Sequence, residues 1–273
     1  MTVAEVADAF DVRPTTAEER RARLLRWVDL TRVLSIKNFR QRYLRSRLGI
    51  AWALLQPTLQ AAVLTVVFVK IFHVRNIPHY PVFVLSGIMS WQFFQQGCVQ
   101  STVSIVENAG LVRKVAMPKV IFPLASVGGV LLVFLLQSVV LLVAGAISGT
   151  LGLGTFYLLL ALPIETALIA AVGVLASSLH VSVRDIRFVI ESGLLMAFYL
   201  TPVLYDISRV PVGARSVMEW NPMYGVLSLM RAAFVARPVD WHGVLSALVA
   251  TVVIAVLARV MYRRRSAEFS DLV

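Results

Sequence analysis

IFPLASVGGVLLVFLLQSVVLLVAGAI, residues Ile121 to Ile147, carries no charged side chain from end to end. As an α-helix rising about 1.5 Å per residue it would measure about 40 Å, more than the roughly 30 Å of hydrocarbon in a bilayer. A water-soluble domain has little use for an apolar rod of that length, whereas lipid solvates it on every side. Working outward, five further stretches are predominantly apolar over the roughly 20 residues that a span needs, at residues 51–72, 82–104, 156–179, 186–204 and 243–262. The expected fold class is therefore an all-α integral membrane protein with six transmembrane helices.

The rest of the composition agrees. Hydrophobic residues make up 58% of the 273 and charged residues 15%, with a mean hydropathy of +0.79. The single cysteine, Cys98, rules out an internal disulfide framework, and His73, His79, His180 and His242 are too dispersed for metal-ligand spacing. The net charge of +11 would point to nucleic acid if it formed one soluble face. Here the basic residues fall between apolar runs, so they read as topology signals and no nucleic-acid partner is expected.

Positive residues are retained on the cytoplasmic side of a membrane. With the amino terminus inside, alternate connections assign 20 of the 26 Lys and Arg residues to the cytoplasm and 6 to the outer side. Both termini are therefore expected in the cytoplasm of a multi-pass protein of the bacterial plasma membrane. The first thirty residues lack the short apolar core of a signal peptide and carry Glu5, Asp8, Asp11, Glu18 and Glu19, so no cleaved leader is expected.

Ahead of the first span, residues 24–47 alternate Leu25, Val28, Leu30, Val33 and Leu34 with Arg26, Arg32, Lys37 and Arg40 at near-helical spacing. This pattern predicts an amphipathic helix lying in the interface plane. The outer connection, 205–241, is apolar over residues 226–235, which predicts a short re-entrant helical hairpin around Pro211, Asn221 and Pro222. The expected organisation is a mobile tail at 1–23, interface helix and linker at 24–50, transmembrane domain at 51–265 and a cytoplasmic tail at 266–273. Gly145 and Gly149 form a GxxxG pair expected to serve ordinary close helix packing. Glu191 lies one turn beyond Arg187, a spacing for an ion pair, and Asp185 beside Arg184 and Arg187 is expected to fix the start of the fifth span. Glu165, a carboxylate within a span, is a functional candidate.

No GxxxxGK[ST] phosphate loop occurs, and GTLGLG at residues 149–154 lacks the strand and helix of a nucleotide fingerprint. The chain carries no engine and no catalytic residues of its own. Four stretches, however, form a recognisable series. Phe39, Arg42, Tyr43, Ser46, Leu48, Gly49, Trp52 and Pro57 lead into the first span, and Asn108, Leu111, Lys114, Val115, Pro118 and Pro123 lie in the second cytoplasmic connection. Arg184, Asp185 and Ile186 are followed by Thr201, Pro202, Val203, Leu204 and Tyr205, and then by Asn221, Pro222, Met223 and Arg231. In this order and between these spans, they resemble the permease subunit of ABC-2 type polysaccharide exporters, which move O-antigen, teichoic acid and related lipid-linked glycans.

The resemblance implies a homodimer bound to two copies of an ABC ATPase subunit, with ATP and Mg held by that partner and no cofactor or metal in this chain. It implies that Asn108, Leu111, Arg113, Lys114 and Pro118 belong to a cytoplasmic coupling helix. Arg42, Tyr43, Gly49, Trp52, Arg184, Asp185, Pro202, Asn221 and Pro222 would be structural motif residues. An ABC-2 exporter of drugs or small lipids is the alternative, since it would share the six spans without needing Arg42-Tyr43 or Arg184-Asp185-Ile186. A secondary transporter would show internal repeats and paired interrupted spans, and a membrane glycosyltransferase would gather carboxylates at one membrane face. Neither signature is present.

Each unpaired hydroxyl moved from water to an alkane-like medium costs roughly 4 to 8 kcal/mol, so a glycan needs a wet path. The second span supplies Ser86, Ser90, Gln92, Gln95, Gln96, Gln100, Ser101 and Thr102, which are expected to face a cavity or another helix. Trp91, Phe93, Phe94, Gln95, Phe198, Tyr199 and Tyr205 are the candidate conduit residues, the aromatic faces stacking on sugar rings while letting the chain slide. Arg outnumbers Lys 22 to 4, which hints at a GC-rich bacterial genome and a mycobacterial-type lipid-linked galactan as cargo.

Overall fold

The computed structural model describes residues 17–43, 48–73, 77–114 and 117–265, and all regular structure among them is helical. The expected carboxy-terminal tail, most of the amino-terminal tail, Ser46 and Val115 lie outside the described residues. Helix α1 spans Ala17–Tyr43 and so begins ahead of residue 24. Helix α2, Ala51–Val66, continues as a π-helical turn over Val67–Ile71. Helix α3 is Tyr80–Glu107, with proline in its first turn where the missing N–H costs nothing. A six-residue helix, α4, Ala109–Lys114, follows at once. Then come α5, Ile121–Ile147, and α6, Leu158–His180, the latter entered through a 3₁₀ turn at Leu153–Tyr157. Helix α7 is Ile186–Leu200, α8 is Val212–Glu219, α9 is Pro222–Val235 and α10 is Trp241–Arg265.

Four of these are long and apolar enough to cross a membrane: Ala51–Ile71, Ile121–Ile147, Leu153–His180 and Trp241–Arg265. Helix α3 has the length, at 28 residues, but its serines and glutamines dilute its hydropathy. Helix α7 has 15 residues, about 22 Å at 1.5 Å per residue. It stops short of residue 204 because Pro202 disfavours helical backbone at the residue before it, and Thr201 is extended at φ −90°, ψ 134°.

Helix α3 is the hub, packed against α2, α5, α6, α7 and α9. Its serines and threonine are buried, and most of their hydroxyls return to nearby backbone carbonyls. Ser86 donates to Phe83 O at 3.1 Å, Thr102 to Cys98 O at 2.8 Å and Ser104 to Ser101 O at 2.7 Å. Such local bonds let a hydroxyl sit in an apolar interior without an orphaned donor. The crossing with α6 is close because Gly97 and Gly173 lack side chains. A Cβ at Gly97 would meet Ile169 Cγ2 at 2.4 Å, and one at Gly173 would meet Ser101 Cβ at 2.5 Å.

Gly145 and Gly149 prove to be a helix stop rather than a packing pair. Gly149 is left-handed at φ 67°, Thr150 N donates to Gly145 O at 2.9 Å and Gly149 N to Ala146 O at 3.2 Å. Those two bonds form the C-terminal cap in which glycine takes the conformation that other residues resist. Asp185 stands at the N-cap position of α7 but makes no side-chain cap bond, its backbone already being helical, so it does not fix the helix start as expected.

Candidate functional site

A groove of about 320 Å³ opens between α2, α3 and α7. Gln56 and Gln60 supply one wall, Trp91, Gln92, Gln95 and Gln96 the floor, and Phe198 and Tyr199 the other wall. Gln92 Nε2 donates to Gln60 Oε1 at 2.9 Å across it. Arg42 from the end of α1 donates to Gln96 Oε1 at 3.0 Å. Trp91 and Phe198 meet edge to face with centroids 5.7 Å apart, and Phe198 meets Tyr199 at 5.3 Å. An amide keeps both donor and acceptor capacity after one bond is made, so the groove pairs neutral hydrogen-bonding groups with flat apolar rings. That chemistry suits a ligand rich in hydroxyls.

The polar face continues down α3. Gln92, Gln96 and Gln100 are four residues apart and therefore share one side of the helix. Below them a second cavity, of about 420 Å³, is lined by Asn38, Gln41, Arg42, Gln100, Asn108 and Arg187 among others. Arg187 Nε donates to Glu191 Oε1 at 2.8 Å, the pairing expected from their spacing.

Of the expected conduit residues, Trp91, Gln95, Phe198 and Tyr199 meet at the groove. Phe93 points away from it, 1% exposed and stacked on Phe134 at 4.8 Å. Phe94 is buried and packs on Trp91 at 5.7 Å. Tyr205 lies beyond the end of α7, its hydroxyl donating to Tyr199 O at 3.2 Å. Gln56 and Gln60 were not anticipated, because nothing in α2 itself shows which neighbour its two glutamines will face.

The expected coupling residues surround α4. Asn108 O accepts from Leu111 N at 2.9 Å and Val112 N at 3.0 Å, so Asn108 begins the new helix, and its Nδ2 donates back to Ser104 O at 2.8 Å. Leu111 packs into a small apolar cluster with Ile105, Val112, Phe122 and Val181, while Arg113 and Lys114 are exposed. Pro118 O accepts from Ile121 N at 3.1 Å and starts α5. The result is a short helix anchored by its apolar side with its basic end outward.

The structural motif residues fall at turns. Gly49 is left-handed at φ 49°, and Trp52 beside it is exposed. Tyr43 closes α1, with its side chain outside the described residues, and Arg184 is exposed before α7. Asn221 caps α9 by accepting from Met223 N at 3.0 Å and donates to Thr201 Oγ1 at 2.8 Å, with Pro222 in the first turn. Arg231 is buried on α9, 4.0 Å over the Phe83 ring, and donates to the carbonyls of Pro202, Val203 and Tyr205. It ties the turn after α7 to α9, a role that the sequence series alone did not disclose. Nearby, Arg237 pairs with Asp206. Glu165, fully buried, accepts from Ser90 Oγ at 2.9 Å and so joins α6 to α3.

Residues 29–235 match the ABC-2 type transporter family. The chain belongs to that family. Among its relatives, the O-antigen export system permease protein RfbA of Klebsiella pneumoniae is 25% identical over 246 residues, covering 89% of this chain and 95% of the relative. The Myxococcus xanthus protein of the same description is 28% identical over 241 residues, covering 86% and 92%. The polysialic acid transport protein KpsM of Escherichia coli is 24% identical over 204 residues, covering 73% and 79%. ABC-2 permeases generally work with an ABC ATPase subunit, and the matched span of this one holds α3, the groove and α4.

Proposed function

We propose that the chain is the permease subunit of an ATP-driven exporter that carries a lipid-linked polysaccharide from the cytoplasmic to the outer side of the bacterial plasma membrane. The observation that carries this reading is the groove of facing glutamines flanked by Trp91, Phe198 and Tyr199, in a chain whose relatives are described as export permeases for O-antigen and polysialic acid. In this reading α2, α3, α5, α6, α7 and α10 are the six spans, both termini are cytoplasmic, α1 lies at the interface, and α8 and α9 form the re-entrant outer hairpin. Two copies assemble with two ATPase subunits, which bind ATP and Mg. The cargo is a glycan of the O-antigen, teichoic acid or galactan type. The amides replace water around the sugar hydroxyls, and the aromatic faces give weak, weakly directional contact that permits sliding.

Helix α4 supplies the coupling: its outward Arg113 and Lys114 meet the ATPase, and Pro118, which disfavours helical backbone at Met117, sets a stop ahead of α5. Depletion of the chain tests the cargo, with a lipid-linked glycan accumulating on the cytoplasmic leaflet. Replacing Lys114 and Pro118 together by alanine tests the coupling, with ATP hydrolysis continuing while export is lost. Normal export by that well-expressed variant, or no glycan accumulation on depletion, removes the corresponding part of the reading.

A further inference from the structure

Apart from the groove and sharing none of its residues, α5, α6 and α10 leave a cleft of about 740 Å³. Its walls are Leu124, Ala167, Ala170, Val174, Ala255 and Val256, and its far end is closed by Arg259, Tyr262 and Arg263. On α10 the spacing Val252, Val256, Arg259, Arg263 keeps one face turned to the cleft. Val252 is 62% exposed and Val256 56% exposed. Among the described residues neither Arg259 nor Arg263 has a carboxylate partner. The cleft is thus apolar along its length and cationic at one end, and that end stands where α10 leaves its apolar stretch.

We infer that this cleft is a binding site for an anionic phospholipid, its acyl chains lying along α6 and α10 and its phosphate held by Arg259 and Arg263. Charge complementarity selects the occupant: basic pockets between membrane helices on the cytoplasmic side take anionic headgroups, and a zwitterionic lipid offers no net charge to the paired guanidiniums. A protein helix in the same place would leave both cations facing hydrocarbon or an unspecified carboxylate. The position gives the lipid a consequence. Tyr262 Oη accepts from Val120 N at 3.2 Å, so the headgroup end of the cleft is bonded to the segment that joins α4 to α5. A bound lipid braces the segment through which α4 connects to the bundle. The inference rests on the membrane placement of α5, α6 and α10 and not on the identity of the exported cargo.

The test uses the full chain in its complex, reconstituted in phosphatidylcholine vesicles with or without phosphatidylglycerol, followed by gentle extraction and native mass spectrometry of the retained lipid. Phosphatidylglycerol is expected to be retained over phosphatidylcholine. At roughly 1 kcal/mol per basic residue near the surface, Arg259→Ala or Arg263→Ala should each weaken retention roughly 5-fold and the pair roughly 30-fold. Arg259→Lys with Arg263→Lys should keep most of it. Arg264→Ala, which removes the same charge outside the cleft, should leave it unchanged, and Ala170→Phe should expel the lipid while both arginines remain. Equal retention of both lipids overturns the inference, as does equal loss in Arg264→Ala, which would mark a general attraction of the basic tail rather than a site. Retained phosphatidylglycerol in Ala170→Phe places the lipid elsewhere and overturns it too.

Discussion

Helix α3 presents two polar faces that meet opposite fates. Ser90, Ser101, Thr102 and Ser104 are sealed against neighbours, bonded to backbone carbonyls or to Glu165. Gln92, Gln95, Gln96 and Gln100 are only partly covered and line cavities. The difference follows from side-chain length and valence. A short hydroxyl has one proton to place and finds an acceptor on its own helix, as Thr102 and Ser104 do, or on the helix packed against it, as Ser90 and Ser101 do, so it tolerates an apolar surround. A primary amide has two donors and an acceptor and cannot satisfy them on its own backbone, so it requires another amide, a ligand or water. One helix therefore seals the bundle with its serines and opens it with its glutamines.

The closed face should be the more fragile. Gly97→Leu forces side-chain volume into Ile169 and should destabilise the fold by about 3 kcal/mol, read as a lowered unfolding midpoint in detergent. An unchanged midpoint would mean that α3 and α6 do not cross so closely. Glu165→Ala leaves Ser90 without its acceptor and should cost about 2 kcal/mol, whereas Glu165→Gln, which keeps an acceptor oxygen, should lie near wild type. Equal losses in the two would deny the bond its role. On the open face the effects should separate. Gln92→Leu with Gln96→Leu should change stability by less than about 1 kcal/mol while slowing glycan export roughly tenfold, because the lost amides no longer solvate a passing hydroxyl. Parallel losses of stability and export would merge the two faces into one.

The smallest effect belongs outside the bundle, at Asp206 and Arg237. Burial raises the Asp206 carboxyl, but hydrogen bonds from Ser208 and the charges of Arg237 and Arg231 prevail and hold it below its ordinary value. A depressed carboxylate contributes stability that is present above its unfolded-state value and lost as pH falls through its folded value. Asp206→Asn should therefore be slightly less stable than wild type at neutral pH, and the difference should close as the pH falls below about 4 and the wild-type carboxyl is protonated.

Much of this was legible in the chain because it depends on local pattern. The apolar runs of α5, α6 and α10 need no partner to be recognised, and the Arg187 to Glu191 spacing alone places both groups on one helix face. The clustering of glutamines marked α3 as polar, but not which residues stand opposite it. Gln56 and Gln60 face the groove because α2 packs there, and Phe93 leaves it because its azimuth turns toward Phe134; both depend on tertiary rotation. The carbonyl cradle of Arg231 draws on residues 26 to 29 positions away, beyond any local period. The GxxxG pattern misled because glycine serves a tight crossing and a left-handed cap equally well, and only the backbone angle at Gly149 separates them.

The central claim is that the glutamine face of α3 lines a wet path for the exported glycan. Cys98 is fully buried and can be replaced by alanine to give a silent background, into which single cysteines are placed at Ser90, Gln92, Gln96 and Gln100. Their reaction with a membrane-impermeant thiol reagent, in vesicles holding the full complex, measures the claim directly. The account predicts that the three glutamine positions react, that Ser90 does not, and that an engaged glycan protects all three. Glutamine positions as inert as Ser90, or reactive but indifferent to the glycan, would contradict it.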